Sequence, residues 1–176
     1  MWIRGRGGHC IPIAPYYLAW RARQAGIDAR FIELAGEINC AMPAHVVDRL
    51  GQALRDRGSA LDGADVLVLG LAYKKNIDDV RESPSAEIIR LLRDANARVS
   101  YSDPHIARTH AGRKGDLAME SVGLTPERLG SADAIVIATD HDAFDWAMIA
   151  AHARLIVDTR GRMRTIQDVR AEVVTA

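Results

Sequence analysis

Residues 64–73 read ADVLVLGLAY. Four apolar residues in a row, Val66 to Leu69, end at Gly70. A run this short, with no polar alternation and two β-branched valines, suits a strand buried on both faces of a parallel sheet. Downstream, Ser83-Pro84 reads as a helix N-cap followed by proline at the first helical position. Ile88, Leu91, Leu92 and Ala95 then form the inner face of that helix.

The same alternation continues. ARVSYSD (97–103) is a second strand and TPERLGSAD (125–133) a short helix. AIVIATD (134–140) is a third strand with a polar end, DAFDWAMIAAHA (142–153) a helix, and RLIVDTRG (154–161) a fourth strand. Strands that alternate with helices imply an α/β domain with a parallel sheet covered on both faces.

Upstream of residue 58 the pattern is helical. Residues 1–15 hold Gly5, Gly7, Gly8, Pro12 and Pro15 and read as a loop. YYLAWRARQAG (16–26) is a helix that stops at glycine. Phe31, Leu34, Ala35 and Ile38 begin an apolar stripe that Met42, Val46, Val47, Leu50 and Leu54 extend. It predicts a long amphipathic helix bent at Pro43, closed by the cations and glycine of RDRG (55–58). The organisation is a loop at 1–15, a helical segment at 16–60 and an α/β domain at 61–176, with the boundary near 58–63. The stripe is core or dimer interface, and periodicity does not choose between them.

The 176 residues carry no net charge and are 48% hydrophobic and 26% charged, a soluble globular balance. Neutrality argues against nucleic acid or an anionic membrane as partner, and no apolar run reaches the ~20 residues that cross a bilayer. Two cysteines, Cys10 and Cys40, make no disulfide framework, which points to a reducing cytoplasm.

Loops after the strands hold Tyr73, Lys74, Lys75, Asp140, His141, Asp158, Thr159 and Arg160. Ligands of open α/β sheets bind at these carboxyl ends. Lys74 and Arg160 are candidates to meet an anionic ligand, one as a point charge and one as a planar fork. The first strand runs into GLAYKKN (70–76), which is not a G-x-G-x-x-G fingerprint. The winding is Rossmann-like, yet a dinucleotide pyrophosphate finds no glycine cradle there.

Cys10, in GRGGHC (5–10), has two readings: a nucleophile beside backbone donors, or a small buried hydrophobe. His9 stands next to it with no further ligand at zinc spacing, so no metal is expected. Cys40 reads as helix packing, and His105 and His110 as surface residues. IDDVRESP (77–84) is either a solvated charge cluster or a loop whose Arg81 projects to an anionic group.

Several segments together resemble the UDP-glucose/GDP-mannose, or nucleotide-sugar, 6-dehydrogenase family. GGHCIPIAPYYLAW (7–20) resembles its catalytic-cysteine loop. FIELAGEINCAMPAHVVDRL (31–50) resembles its central dimerisation helix. GLAYKKNIDDVRESPSAEI (70–88), ATDHDAF (138–144) and VDTRG (157–161) resemble its UDP-sugar-binding domain. The forms GGHCIP, FIELAGEIN and DTRG resemble the bacterial branch acting on UDP-N-acetylhexosamines or UDP-glucose, which implies the chemistry of polysaccharide biosynthesis.

The resemblance implies an NAD-linked, two-step oxidation of a sugar C6 alcohol to a carboxylate. Cys10 matches the residue that holds the aldehyde as a thiohemiacetal and then as a thioester, which water hydrolyses. Gly7 and Gly8 match the loop that wraps the sugar. Tyr73, Lys74 and Arg160 match UDP-sugar-binding residues, and Arg81 matches an arginine that reaches NAD on another domain. The family's NAD-binding domain, with its lysine base and an asparagine, has no counterpart in these residues. Ala14 stands where the family has an aspartate that assists hydrolysis. The expectation is a truncated C-terminal portion, a homodimer through the helix at 31–57, that binds UDP-sugar and is inactive unless a separate chain supplies NAD. The alternatives are a free-standing UDP-sugar-binding or dimerising module, and a structural remnant with no ligand.

Overall fold

The computed structural model describes residues 14–109 and 117–176. Two helices come first, α1 (Ala14–Gln24) and α2 (Arg30–Asp56). Then follow β1 (Asp65–Leu69), α3 (Pro84–Asp94), β2 (Arg98–Ser102), α4 (Pro126–Ser131), β3 (Ala134–Ile137), α5 (Trp146–His152), β4 (Leu155–Asp158) and β5 (Glu172–Thr175). The fold is α/β: a helical N-terminal segment precedes a Rossmann-like domain. Its sheet has five strands, all parallel, in the order β2-β1-β3-β4-β5. The fifth strand, EVVT, is a mostly exposed edge and carries no continuous apolar run to announce it.

The central strands alternate between two cores, as a pleated strand must. Val66 and Val68, Val136, and Leu155 and Val157 face the side covered by α2 and α3. Leu67 and Leu69, Ile135 and Ile137, and Ile156 face the side of α4 and α5. With both faces covered, these strands need apolar residues at every position, which is why their sequence shows no period of two.

The helices start where their caps allow. Ser83 accepts a hydrogen bond from Ser85 N–H at 3.2 Å with Pro84 next in line, and Thr125 and Asp145 cap α4 and α5 in the same way. The inner face of α3 is Ile88, Ile89 and Leu92, all fully buried; Leu91 and Ala95 are only partly so. The helix is thus rotated slightly from the expected register.

The 27-residue α2 runs on through Pro43. Its stripe has two fates. Val46, Leu50 and Leu54 are buried in the core with Val66 and Ile88, each contributing roughly 1.5–3 kcal/mol by area. Phe31 is 84% exposed, and Leu34 and Ile38 are about half exposed. Cys40, expected to pack, is exposed, its Sγ lying 3.7 Å from the Tyr16 hydroxyl. No helix among the described residues is long and apolar enough to cross a membrane.

Candidate nucleotide-sugar site

Sheet order reverses between β1 and β3: the chain leaves β1 toward β2 on one side and returns to β3 on the other. That reversal opens a crevice at the carboxyl ends, where α/β sheets hold ligands. Tyr73 and Lys74 follow β1, Asp140 and His141 follow β3, and Arg160 follows β4. With β3 between them, β1 and β4 lie two strand spacings apart, about 10 Å, so long side chains from both loops can meet one diphosphate.

The loops are tied together by polar residues, some buried (His141, Asp103, Thr139) and some at the surface (Asn76, Asp142). His141 is fully buried. Its Nδ1 accepts the Asn76 N–H at 2.9 Å, and its Nε2 lies 3.1 Å from Asp103 Oδ2. An acceptor at Nδ1 leaves the neutral ring's hydrogen on Nε2, which donates to Asp103. Asp103, just past β2, also accepts from Leu71 and Ala72 N–H at one oxygen and from His105 and Ile106 N–H at the other. Burial works against its ionisation, but the hydrogen bonds from His141, His105 and Ala72 outweigh it, and the carboxyl is held below its ordinary value.

Asn76 Nδ2 donates to Asp142 Oδ2 at 2.7 Å, and Asp142 N–H returns a bond to Asn76 Oδ1 at 3.0 Å. Lys75 pairs with Asp142 at 2.5 Å. Lys75 first, then Asn76, and beyond them the charge of Arg162, hold the Asp142 carboxyl below its ordinary value. Thr139 Oγ1 donates to Ala72 O at 2.6 Å, a further tie between the β1 and β3 loops.

Of the residues singled out in the sequence, Lys74 is exposed and Tyr73 half-buried, with its N–H on Asp79 O at 3.0 Å. Arg160 Nε donates to Asp140 Oδ1 at 2.8 Å, and its N–H to the buried Asp158 at 2.9 Å. Arg81 is exposed but engaged, donating from Nε and Nη2 to Asp79; that bond raises its pKa above the usual arginine value. His105 is exposed, yet its ring faces His141 at 4.9 Å. Gly7, Gly8, His9, Cys10 and His110 lie outside the described residues.

Sequence reasoning passed over Asp103, Asn76 and Arg162. Asp103 stood directly after a strand, a signal equal to that of Asp140. Asn76 and Arg162 carried no signal of their own. Arg162 stacks over Trp146, 5.2 Å from the ring centroid, and Trp146 Nε1 donates to His141 O at 3.2 Å.

The loop after β1 offers a dinucleotide pyrophosphate no glycine cradle. The loop's one glycine, Gly70, sits at φ +83° with Thr139 so close that an added Cβ would lie 2.5 Å from Thr139 Cβ and from its carbonyl oxygen. Its freedom serves packing between strands, not approach to a ligand. Among the described residues no group of three or more His, Cys, Asp or Glu is placed to hold a metal.

Residues 67–165 match the UDP-binding domain of the UDP-glucose/GDP-mannose dehydrogenase family, and residues 4–41 match that family's central domain. The chain belongs to this family. It is 35% identical over 141 residues to the UDP-N-acetyl-D-glucosamine 6-dehydrogenase of Pseudomonas aeruginosa, covering 78% of this chain and 32% of that protein. It is 37% identical over 161 residues to the UDP-N-acetyl-D-mannosamine dehydrogenase of Pyrococcus horikoshii, covering 89% and 35%. A crystal structure of NDP-N-acetyl-D-galactosaminuronic acid dehydrogenase from Methanosarcina mazei Go1 superposes with a TM-score of 0.77 at 29% identity, over 98% of this chain and 38% of that one. The chain thus spans about a third of the length of the curated relatives it matches.

Proposed function

We propose that residues 61–176 bind the UDP moiety of a nucleotide sugar, as the substrate-holding part of a 6-dehydrogenase. The observation that carries this is the location of Tyr73-Lys74 after β1 and Arg160 after β4, at the carboxyl end of the sheet beside the switch point, in a domain matched to a UDP-binding family. Lys74 supplies a charge with no ion-pair partner among the described residues, and Arg160 a fork whose Nε is already oriented by Asp140. Together they complement a diphosphate. The names of the relatives support an N-acetylhexosamine as the sugar.

Within the same reading, Cys10 is the nucleophile, Gly7 and Gly8 wrap the sugar, and Arg81 reaches toward NAD held outside these residues. Residues 1–15 are then the cysteine loop and 16–60 the dimerising segment. A thiolate suits the role because it adds readily to an aldehyde and leaves readily from an acyl group. Ala14 offers no carboxylate to orient water. With no glycine cradle for a dinucleotide after β1, no counterpart of the family's lysine base and no carboxylate at position 14, the purified 176-residue chain is expected to produce no NADH from UDP-glucose or UDP-N-acetylglucosamine, although it binds UDP.

Calorimetry with UDP, UDP-glucose, UDP-N-acetylglucosamine and GDP-mannose tests the reading. Heat with the uridine ligands supports it. No heat with any of the four overturns it in favour of a purely structural or dimerising module.

A further inference from the structure

We infer that His141 is a positioning residue for the UDP site: it sets the β1 loop through its Nδ1 bond to the Asn76 backbone and thereby places Tyr73 and Lys74. The inference rests on the proposed UDP site and assigns a role to a residue that does not itself touch the ligand.

His141 is fully buried just past the third strand and bonded to the loops that follow β1 and β2. Asp103, past β2, fixes one nitrogen at 3.1 Å, and Asn76, past β1, sits on the other at 2.9 Å. Phe144 and His105 wall the ring, with centroids at 5.6 and 4.9 Å. The imidazole is thus immobilised and presents one acceptor to a loop that is otherwise largely irregular. Asn76 itself is held at φ +59°, a left-handed conformation that asparagine tolerates but does not prefer. A backbone in that region keeps its shape only while its surroundings enforce it. Lys74 lies two residues before this anchor and is exposed, so the anchor sets where its charge stands.

The two contacts of His141 do different work. The bond to Asp103 joins two buried groups, one ionised, and supports folding. The bond to Asn76 meets a partly exposed backbone N–H that water can serve, so it supports loop position more than stability. Two substitutions separate them. His141→Asn leaves an amide oxygen near the Nδ1 position and abandons Asp103. His141→Gln leaves an amide donor near the Nε2 position and abandons Asn76.

The experiment measures UDP affinity by calorimetry, stability by urea unfolding and exchange of the Asn76 amide by NMR, in the full 176-residue chain and both variants. His141→Asn should be the less stable variant yet keep UDP affinity within about threefold and a slowly exchanging Asn76 amide. His141→Gln should be the more stable variant yet lose about tenfold in affinity, the scale of one hydrogen bond, with fast exchange at Asn76. Affinity that follows stability, or is equal in the two variants, overturns the inference. No UDP binding by the unmodified chain sinks the site reading instead. The loop-holding role is then decided by exchange alone, and equal Asn76 exchange in the unmodified chain and His141→Gln overturns it.

Discussion

Asn76 and Asp142 hold each other twice, side-chain amide to carboxylate at 2.7 Å and backbone N–H to amide oxygen at 3.0 Å. The pair closes the β1 loop against the β3 loop across 66 residues of sequence. Asn76→Ala removes both bonds and places alanine at φ +59°. We expect a loss of about 1–2 kcal/mol, read as a lower urea midpoint. An unchanged midpoint would mean that the Asn76–Asp142 pair does not form in solution.

Gly70 packs directly against Thr139. Gly70→Ala brings a Cβ within 2.5 Å of Thr139 at a backbone angle that alanine avoids. The cost should exceed about 3 kcal/mol. Trimming the partner should not rescue it, because the Thr139 carbonyl oxygen is as close as its Cβ. Thermal melts of Gly70→Ala and of Gly70→Ala/Thr139→Ala check both statements.

Asp103 has its carboxyl held low in the folded chain. A depressed value stabilises the fold above the unfolded carboxyl's pKa, near 3.9, and that contribution fades as pH falls through the folded value. Asp103→Asn sets an amide NH₂ against two backbone donors whichever way it turns. It should cost at least about 2 kcal/mol near neutrality. The gap to the unmodified chain should narrow as pH drops below about 4, measured by urea unfolding across that range. A gap that stays constant with pH would show that Asp103 is not ionised in the fold.

Arg160→Ala should weaken UDP binding by ~1.5–3 kcal/mol, the scale of a charged hydrogen bond. Arg160→Lys keeps charge but not the fork that Asp140 orients, and should recover only part of the loss. Calorimetry showing unchanged affinity in Arg160→Ala would move the site elsewhere.

The exposed half of the α2 stripe carries the dimer proposal. Phe31, Leu34 and Ile38 are the residues to change, since Leu50 is fully buried in the α/β core and its substitution reads out folding. Leu34→Glu with Ile38→Glu should give a monomer by light scattering while the melting temperature of the core changes little. A monomer before any substitution, at micromolar concentration, would end the proposal.

The sequence by itself determined the parallel α/β domain. Val66–Leu69 and Ala134–Ile137 are apolar at each position, and only a strand covered on both faces asks for that. Ser83-Pro84 likewise announced a helix start, because capping is a local matter settled within one turn. The family motifs marked Tyr73, Lys74 and Arg160. β5 was not legible, since an exposed edge of four residues needs no apolar run.

Tertiary structure alone decided which polar residues meet. Arg81 and Arg160 look equivalent as letters, but one is folded back on Asp79 two residues away and the other is oriented by Asp140 from a neighbouring strand. His141 and Asp103 lie 38 residues apart and become one buried unit only because β2 and β3 flank β1. The single stripe of α2 divides into a covered half and an open half because the sheet and α3 reach only its C-terminal turns. Local patterns record what each segment must bury or cap. Which groups meet across the sheet depends on strand order, and no segment carries that information alone.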